Sequence, residues 1–278
     1  MKKLVSLFVA VVLVVSAYAQ NPSIYPVKSG KGAAVLMLPG FTTPGSVWDE
    51  TINSLEGDYQ TIQISYAGFN GHPAIEMPWY STIKNDLIEY LENEKLKDVI
   101  IIGHSMGGML AMEIASEAPE LVSKLIIVDA LPCMRALMMP GVPAEAIQYE
   151  SPYNQQMLQQ TDSARLAMAK MMSMNMTMKN EKVEELVQWS MEADLETYVY
   201  GYTDLLKVDL RPTLAQIKAK TLVLGTSFPD RDLVAKNLTD QFTNLAGAEI
   251  LIAENSKHFI MFDQPEWLST QMNKFLVE

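Results

Sequence analysis

The stretch Val99-Ile100-Ile101-Ile102-Gly103-His104-Ser105-Met106-Gly107-Gly108 decides how the rest of the chain is read. Its apolar, β-branched opening reads as a strand. It runs into a Gly-x-Ser-x-Gly pentapeptide, and Met109 to Glu117 follows at once as a helix-compatible segment. A serine on so tight a strand-to-helix turn is lifted above the edge of a sheet, and Gly103 and Gly107 let the backbone bend and pack without Cβ clashes. The hydroxyl then sits beside the N-terminus of a helix, where free N–H groups and the helix dipole favour developing negative charge. This is how a weak nucleophile is displayed for acyl transfer.

Set between a strand and a helix in this way, the pentapeptide resembles the nucleophile elbow of the α/β-hydrolase superfamily, and the resemblance covers most of the chain after residue 30. The remaining segments agree with it. Ala33–Leu38, Tyr59–Ser65, Lys124–Asp129, Thr221–Thr226 and Glu249–Ala253 read as further strands. Trp48–Leu55, a segment with Ile83, Leu87, Tyr90 and Leu91 on one face, Leu233–Phe242 and Pro265–Val277 read as helices. Residues 20–31 read as an irregular entry with room for a short strand. Strand alternating with helix predicts an α/β protein with a doubly wound, mostly parallel sheet.

No strand-like run interrupts Leu131 to Pro212, and its pieces (Asp162–Met172, Glu181–Met191, Asp194–Leu206) look helical. So long a connection suits an all-helical cap inserted after the sixth strand. The core is thus expected over 20–130 and 213–278 and the cap over 131–212. The cap holds eleven of the chain's nineteen methionines, from Met134 to Met191. Unbranched, polarizable thioethers make an adaptable apolar surface, which suits a lid over an apolar acyl pocket.

Length and composition bound the reading. The chain's 278 residues suffice for one large domain with an insertion, and 49% hydrophobic residues exclude a disordered chain. With 33 acidic against 21 basic residues the formal charge is −12, which argues against nucleic acid and against electrostatic adhesion to anionic lipid. Residues 1–19 read as a signal peptide: Lys2 and Lys3, an apolar run from Leu4 to Val15, and an Ala17-Tyr18-Ala19 cleavage site. Twelve helical residues span about 18 Å, short of a hydrocarbon core of roughly 30 Å. A cleaved leader, export to a periplasm or beyond, and no membrane span thereafter are expected. Removing the leader would leave 19 basic against 33 acidic residues, a charge of −14. The one cysteine, Cys133, permits no intrachain disulfide and reads as a small buried apolar residue.

A serine nucleophile needs a base within hydrogen-bond reach. Of the three histidines, His104 in the elbow and His72 in a loop read as structural, and His258, just past the last strand, matches the position of the base that the resemblance implies. The resemblance also implies the chain order serine, acid, histidine. The acid's commoner position follows Thr221–Thr226 as Gly-x-x-Asp, but Gly225-Thr226-Ser227-Phe228 puts Phe there, with Asp230 and Asp232 arriving late. The other position, at the end of the preceding strand, holds Asp129. Asp129 is preferred, with Asp230 as the alternative. The resemblance further implies an oxyanion hole from the amides of Met106 and of Phe41, in Pro39-Gly40-Phe41. Gly45 and Trp48 are candidates for the mouth of the site, Trp48 equally for plain core.

No metal-ligand spacing, phosphate loop or dinucleotide fingerprint occurs, so neither metal nor cofactor is expected. The reading is an exported serine hydrolase cleaving a small-molecule carboxylic ester with an apolar acyl or alcohol part, through a Ser-His-Asp triad and an acyl-enzyme. The alternatives are an amidase or aminopeptidase similar to proline iminopeptidases, with Glu181, Glu184, Glu185 or Glu192 holding a substrate amine, and a non-catalytic ligand-binding homologue.

Overall fold

The computed structural model describes residues 21–277, and the leader expected over residues 1–19 lies outside them. Seven strands form one sheet: β1 (Ile24–Gly30), β2 (Ala33–Leu38), β3 (Tyr59–Tyr66), β4 (Val99–His104), β5 (Val122–Val128), β6 (Lys220–Thr226) and β7 (Glu249–Ala253). Their order is β1-β3-β2-β4-β5-β6-β7. β1 runs antiparallel to β3, and every other pairing is parallel.

The helices of the core are α1 (Asp49–Asn53), α2 (Trp79–Asn93) and α3 (Met106–Glu117) before the cap. The cap supplies α4 (Met134–Met138), α5 (Pro152–Leu158), α6 (Asp162–Met176), α7 (Asn180–Glu192) and α8 (Leu195–Lys207). The core resumes with α9 (Arg231–Gln241), α10 (Ile260–Asp263) and α11 (Pro265–Val277). None of these helices is long and apolar enough to cross a membrane.

The central strand shows why both faces are covered. All six residues of β4 are buried, and successive side chains alternate between two cores. Ile101 packs with Ile83, Leu87 and Leu91 of α2 and with Leu110 and Ile114 of α3. Ile100 and Ile102 pack with Leu268, Met272 and Phe275 of α11. Fully burying one such side chain contributes about 1.5–3 kcal/mol. The i, i+4, i+8 spacing of Ile83, Leu87 and Leu91 keeps one face of α2 on the sheet.

Three expectations are corrected. Residues 24–30 form a full edge strand although most of them are exposed. Pairing with β3, not an apolar pattern of their own, holds them extended. Counted along the described residues, the helical insertion follows the fifth strand, β5, and not a sixth, because β1 alone precedes β2. Gly45 and Trp48 belong to a 3-10 turn against the sheet and not to the mouth of the site. A Cβ on Gly45 would lie 2.8 Å from the Ile64 carbonyl oxygen, and Trp48 is buried among the α11-side core.

Candidate active site

Ser105 stands between β4 and α3 at φ 54°, ψ −121°, in the left-handed half of backbone space. For a residue with a Cβ this conformation costs about 1–3 kcal/mol and persists only where the surroundings enforce it. They do so on each side. The Ser105 N–H donates to the Val128 carbonyl at 3.0 Å, and its own carbonyl accepts from Gly108 and Met109. A Cβ on Gly107 would lie 2.1 Å from the Leu38 carbonyl oxygen, and one on Gly103 2.3 Å from that of Gly107. Only glycine lets strand, turn and helix approach this closely.

The loop after β2 passes directly over the elbow. A Cβ on Gly40 would sit 3.3 Å from the Ser105 Cβ. Phe41, next in the chain, sets its ring among Phe69, Trp79, Tyr198 and Tyr202, the last two on α8. Met106 is the first residue of α3, where backbone N–H groups have no intrahelical acceptor.

Asp129 ends β5 at φ 44°, its N–H bonded to the Leu224 carbonyl at 2.7 Å. Its Oδ2 lies 2.6 Å from Nδ1 of His258, in the loop between β7 and α10, and both side chains are half-buried. Asp230 goes elsewhere. It is exposed at the N-terminus of α9, where its Oδ1 accepts the Leu233 N–H at 2.9 Å. The neighbouring Asp232 faces solvent beside Arg231.

Backbone and side-chain contacts that the sequence alone did not disclose fix the His258 loop. His104 is fully buried, and burial together with the adjacent His258 holds its pKa well below the usual value, so the ring is neutral. Its Nε2 lies 2.9 Å from the His258 carbonyl and therefore carries the proton and donates. Its Nδ1 is buried with no hydrogen-bond partner among the described residues. Asp263 is buried. One oxygen accepts from the Thr177 hydroxyl at 2.6 Å and the Met178 N–H at 2.8 Å, the other from the Lys257 N–H at 2.8 Å. Phe259 N–H donates to the Met176 carbonyl, and Lys257 Nζ donates to that of Met174. The end of cap helix α6 is thus bolted to the histidine loop.

Two cavities open onto this centre, and Ser105, Met134 and His258 line both. The larger, about 440 Å³, lies between cap and core, walled by Phe41, Met138, Met172, Met176, Trp189 and Tyr202 among others. The smaller, about 330 Å³, lies on the Asp129 side, walled by Met109, Ala130, Leu137, Thr226, Phe228 and Leu233 among others. Among the described residues no Lys or Arg lines either, and the only carboxylate is Asp129.

Of the cap methionines, Met134, Met138, Met172 and Met176 face the larger cavity, whereas Met171, Met174 and Met178 are largely exposed and Met157 is packed inside. Glu181, Glu184, Glu185 and Glu192 line neither cavity. Glu185 meets Lys182, Glu184 meets Lys170, and Glu192 accepts from Gln188. His72 stacks on Tyr25, ring centroids 3.7 Å apart, and Cys133 is buried, as both were read. Among the described residues no group of three or more His, Cys, Asp or Glu side chains could hold a metal ion.

The model of the alpha/beta hydrolase family matches residues 35–271. The chain belongs to this family. As an α/β-hydrolase it carries the sheet order, the elbow and the intervening helices described above. Among similar proteins are two pimeloyl-[acyl-carrier protein] methyl ester esterases. That of Vibrio atlanticus is 25% identical over 70% of this chain and 76% of its own length. That of Vibrio campbellii is 25% identical over 88% of this chain and 95% of its own. Among solved structures, an esterase from Exiguobacterium antarcticum shares the fold with a TM-score of 0.77 and 23% identity, covering 92% of this chain and 96% of that one.

Proposed function

We propose that this α/β-hydrolase is an exported serine esterase, cleaving a carboxylic ester with an apolar acyl or alcohol part through Ser105, His258 and Asp129. The observation that carries the reading is the Asp129–His258 pair at 2.6 Å, whose histidine lines the same two cavities as a strained Ser105. Export rests on the leader-like residues 1–19 alone.

In this reading Asp129 accepts the Nδ1 proton of His258, which leaves Nε2 bare as the base. Ser105 Oγ attacks the ester carbonyl carbon as Nε2 takes its proton. The oxyanion is received by the N–H groups of Phe41 and Met106, each worth roughly 10²–10³ in rate by comparison with measured oxyanion holes. Collapse breaks the bond to the alkoxy oxygen, which leaves as alcohol with the proton from His258. A water then attacks the acyl-enzyme, giving its proton to His258, and Ser105 departs protonated. Among the described lining residues the one carboxylate, Asp129, is engaged by His258, and the four α7 glutamates stand away from the centre, which favours an ester over a substrate held by its amine.

A fluorophosphonate should label the protein stoichiometrically, and Ser105→Ala should abolish both labelling and hydrolysis of p-nitrophenyl esters. Turnover of p-nitrophenyl esters should exceed that of amino-acid anilides. Labelling that persists in Ser105→Ala, or anilides as the better substrates, would overturn the reading.

A further inference from the structure

We infer that Asp263 is a positioning residue for the reaction: it ties the junction of cap helices α6 and α7 to the backbone beside His258, so that the placement of the base depends on the seating of the cap. The inference rests on the esterase reading above and goes beyond it by naming what holds the base within reach of Ser105.

The backbone is pinned on each side of His258. The Lys257 N–H, just before it, donates to Asp263 Oδ2 at 2.8 Å. The Phe259 N–H, just after it, donates to the Met176 carbonyl at 3.0 Å. The carbonyl of His258 itself accepts from His104 Nε2. The first two ties lead to one place. Asp263 Oδ1 accepts from the Thr177 hydroxyl at 2.6 Å and the Met178 N–H at 2.8 Å, and Met176 is the last residue of α6. Thr177 Oγ1 in turn accepts the N–H of Lys179, which stands at the N-terminus of α7. These two helices wall the larger cavity, through Met172, Ser173 and Met176 on one and Leu186 and Trp189 on the other. A cap helix that shifts therefore takes the flanks of His258 with it.

The tie needs a carboxylate, because both oxygens must accept. Asp263 is buried, and among the described residues its donors are one hydroxyl and two backbone N–H groups, with no charged side chain. Bonds to an ionised acceptor are roughly twice as strong as neutral ones. An amide of the same shape has one accepting end and one donating end. Turned one way, its NH2 faces the Lys257 N–H; turned the other way, it faces the Met178 N–H. Either way a backbone donor loses its acceptor, on the loop or on the cap, and the tie opens. A general base works only within about 2.6–3.2 Å of the proton it removes, so a small displacement is felt in the rate.

The test compares the wild type with Asp263→Asn, Thr177→Val and Thr177→Ser, each reacted with a short-chain fluorophosphonate at pH 7. Two quantities are read, the fraction of protein finally labelled and the second-order rate per labelled site. A carboxylate that only held the fold together would change the first and leave the second alone. Asp263→Asn should lower the rate per labelled site about 10²-fold, as a misplacement of about 1 Å does elsewhere. Thr177→Val keeps the shape and loses one donor, and should lower it about threefold to tenfold. Thr177→Ser keeps the hydroxyl and should match the wild type. Should Asp263→Asn yield no soluble protein, the Thr177 pair decides alone. A wild-type rate in Asp263→Asn, or equal rates in Thr177→Val and Thr177→Ser, overturns the positioning role while leaving the esterase reading intact. A wild-type protein that the fluorophosphonate does not label overturns both.

Discussion

The ends of β5 and β6 lie side by side in the sheet and each is followed by an aspartate, yet they do different things. At the end of β5 the chain turns at once. Asp129 takes φ 44° with its N–H still bonded to β6, and its carboxylate reaches His258. At the end of β6 the chain runs on through Phe228 and Pro229, and Asp230, in extended conformation, caps α9 in solvent. Both aspartates accept hydrogen bonds from well-placed donors. The difference shows that the turn directly after a strand, and not the presence of a nearby acid, decides which carboxylate enters the site.

The largest effect is expected at Asp129. Asp129→Asn should lower kcat for p-nitrophenyl esters by about 10⁴-fold, because the amide no longer fixes the imidazole tautomer. A loss below tenfold would erase the contrast between the strand ends. Next comes the packing that holds the β5 turn. A Cβ on Gly108 would lie 2.5 Å from the Ala130 Cβ, so Gly108→Ala should displace the turn carrying Asp129. We expect kcat to fall about 10²-fold with the triad residues all present, as a misplacement of about 1 Å does elsewhere. Unchanged kcat would mean that the turn tolerates displacement.

His104 sharpens the contrast through pH. An unfolded histidine titrates near 6.5, and buried His104 is held well below that. Below pH 6.5 the unfolded chain therefore binds a proton that the folded chain does not, and stability falls as pH drops, by up to about 1.4 kcal/mol per pH unit. His104→Gln removes this titration. The stability advantage of wild type over the variant should shrink by about 1–2 kcal/mol between pH 7 and pH 5, read by urea unfolding. A constant difference would contradict the neutral, buried ring. The smallest effect belongs to β6. Asp230→Ala should cost about 1 kcal/mol through the lost cap and change kcat less than twofold.

The elbow was legible because glycine spacing, a buried strand and a helix all point to one turn. The parallel strands and cap helices α6, α7 and α8 were legible from their apolar patterns, whereas the short α4 and α5 were not. The choice between Asp129 and Asp230 was not forced, since an aspartate after a strand can enter a site or cap a helix, and only the backbone angles separate the two. β1 was underestimated because its pairing partner, not its own pattern, makes it a strand. Asp263 and the partnership of His104 with the His258 carbonyl link residues 85 to 154 positions apart, and no local pattern encodes them. The methionines looked uniform in sequence, but helix rotation sends only some of them to the cavity.

The central claim is that the β5 carboxylate, and not the β6 one, prepares His258 to activate Ser105. Its most direct test is the second-order rate of Ser105 phosphonylation by a fluorophosphonate, measured side by side in Asp129→Asn and Asp230→Asn at pH 7. The expected result is a loss of more than 100-fold in the first and less than twofold in the second. Equal rates, or a larger loss in Asp230→Asn, would contradict it.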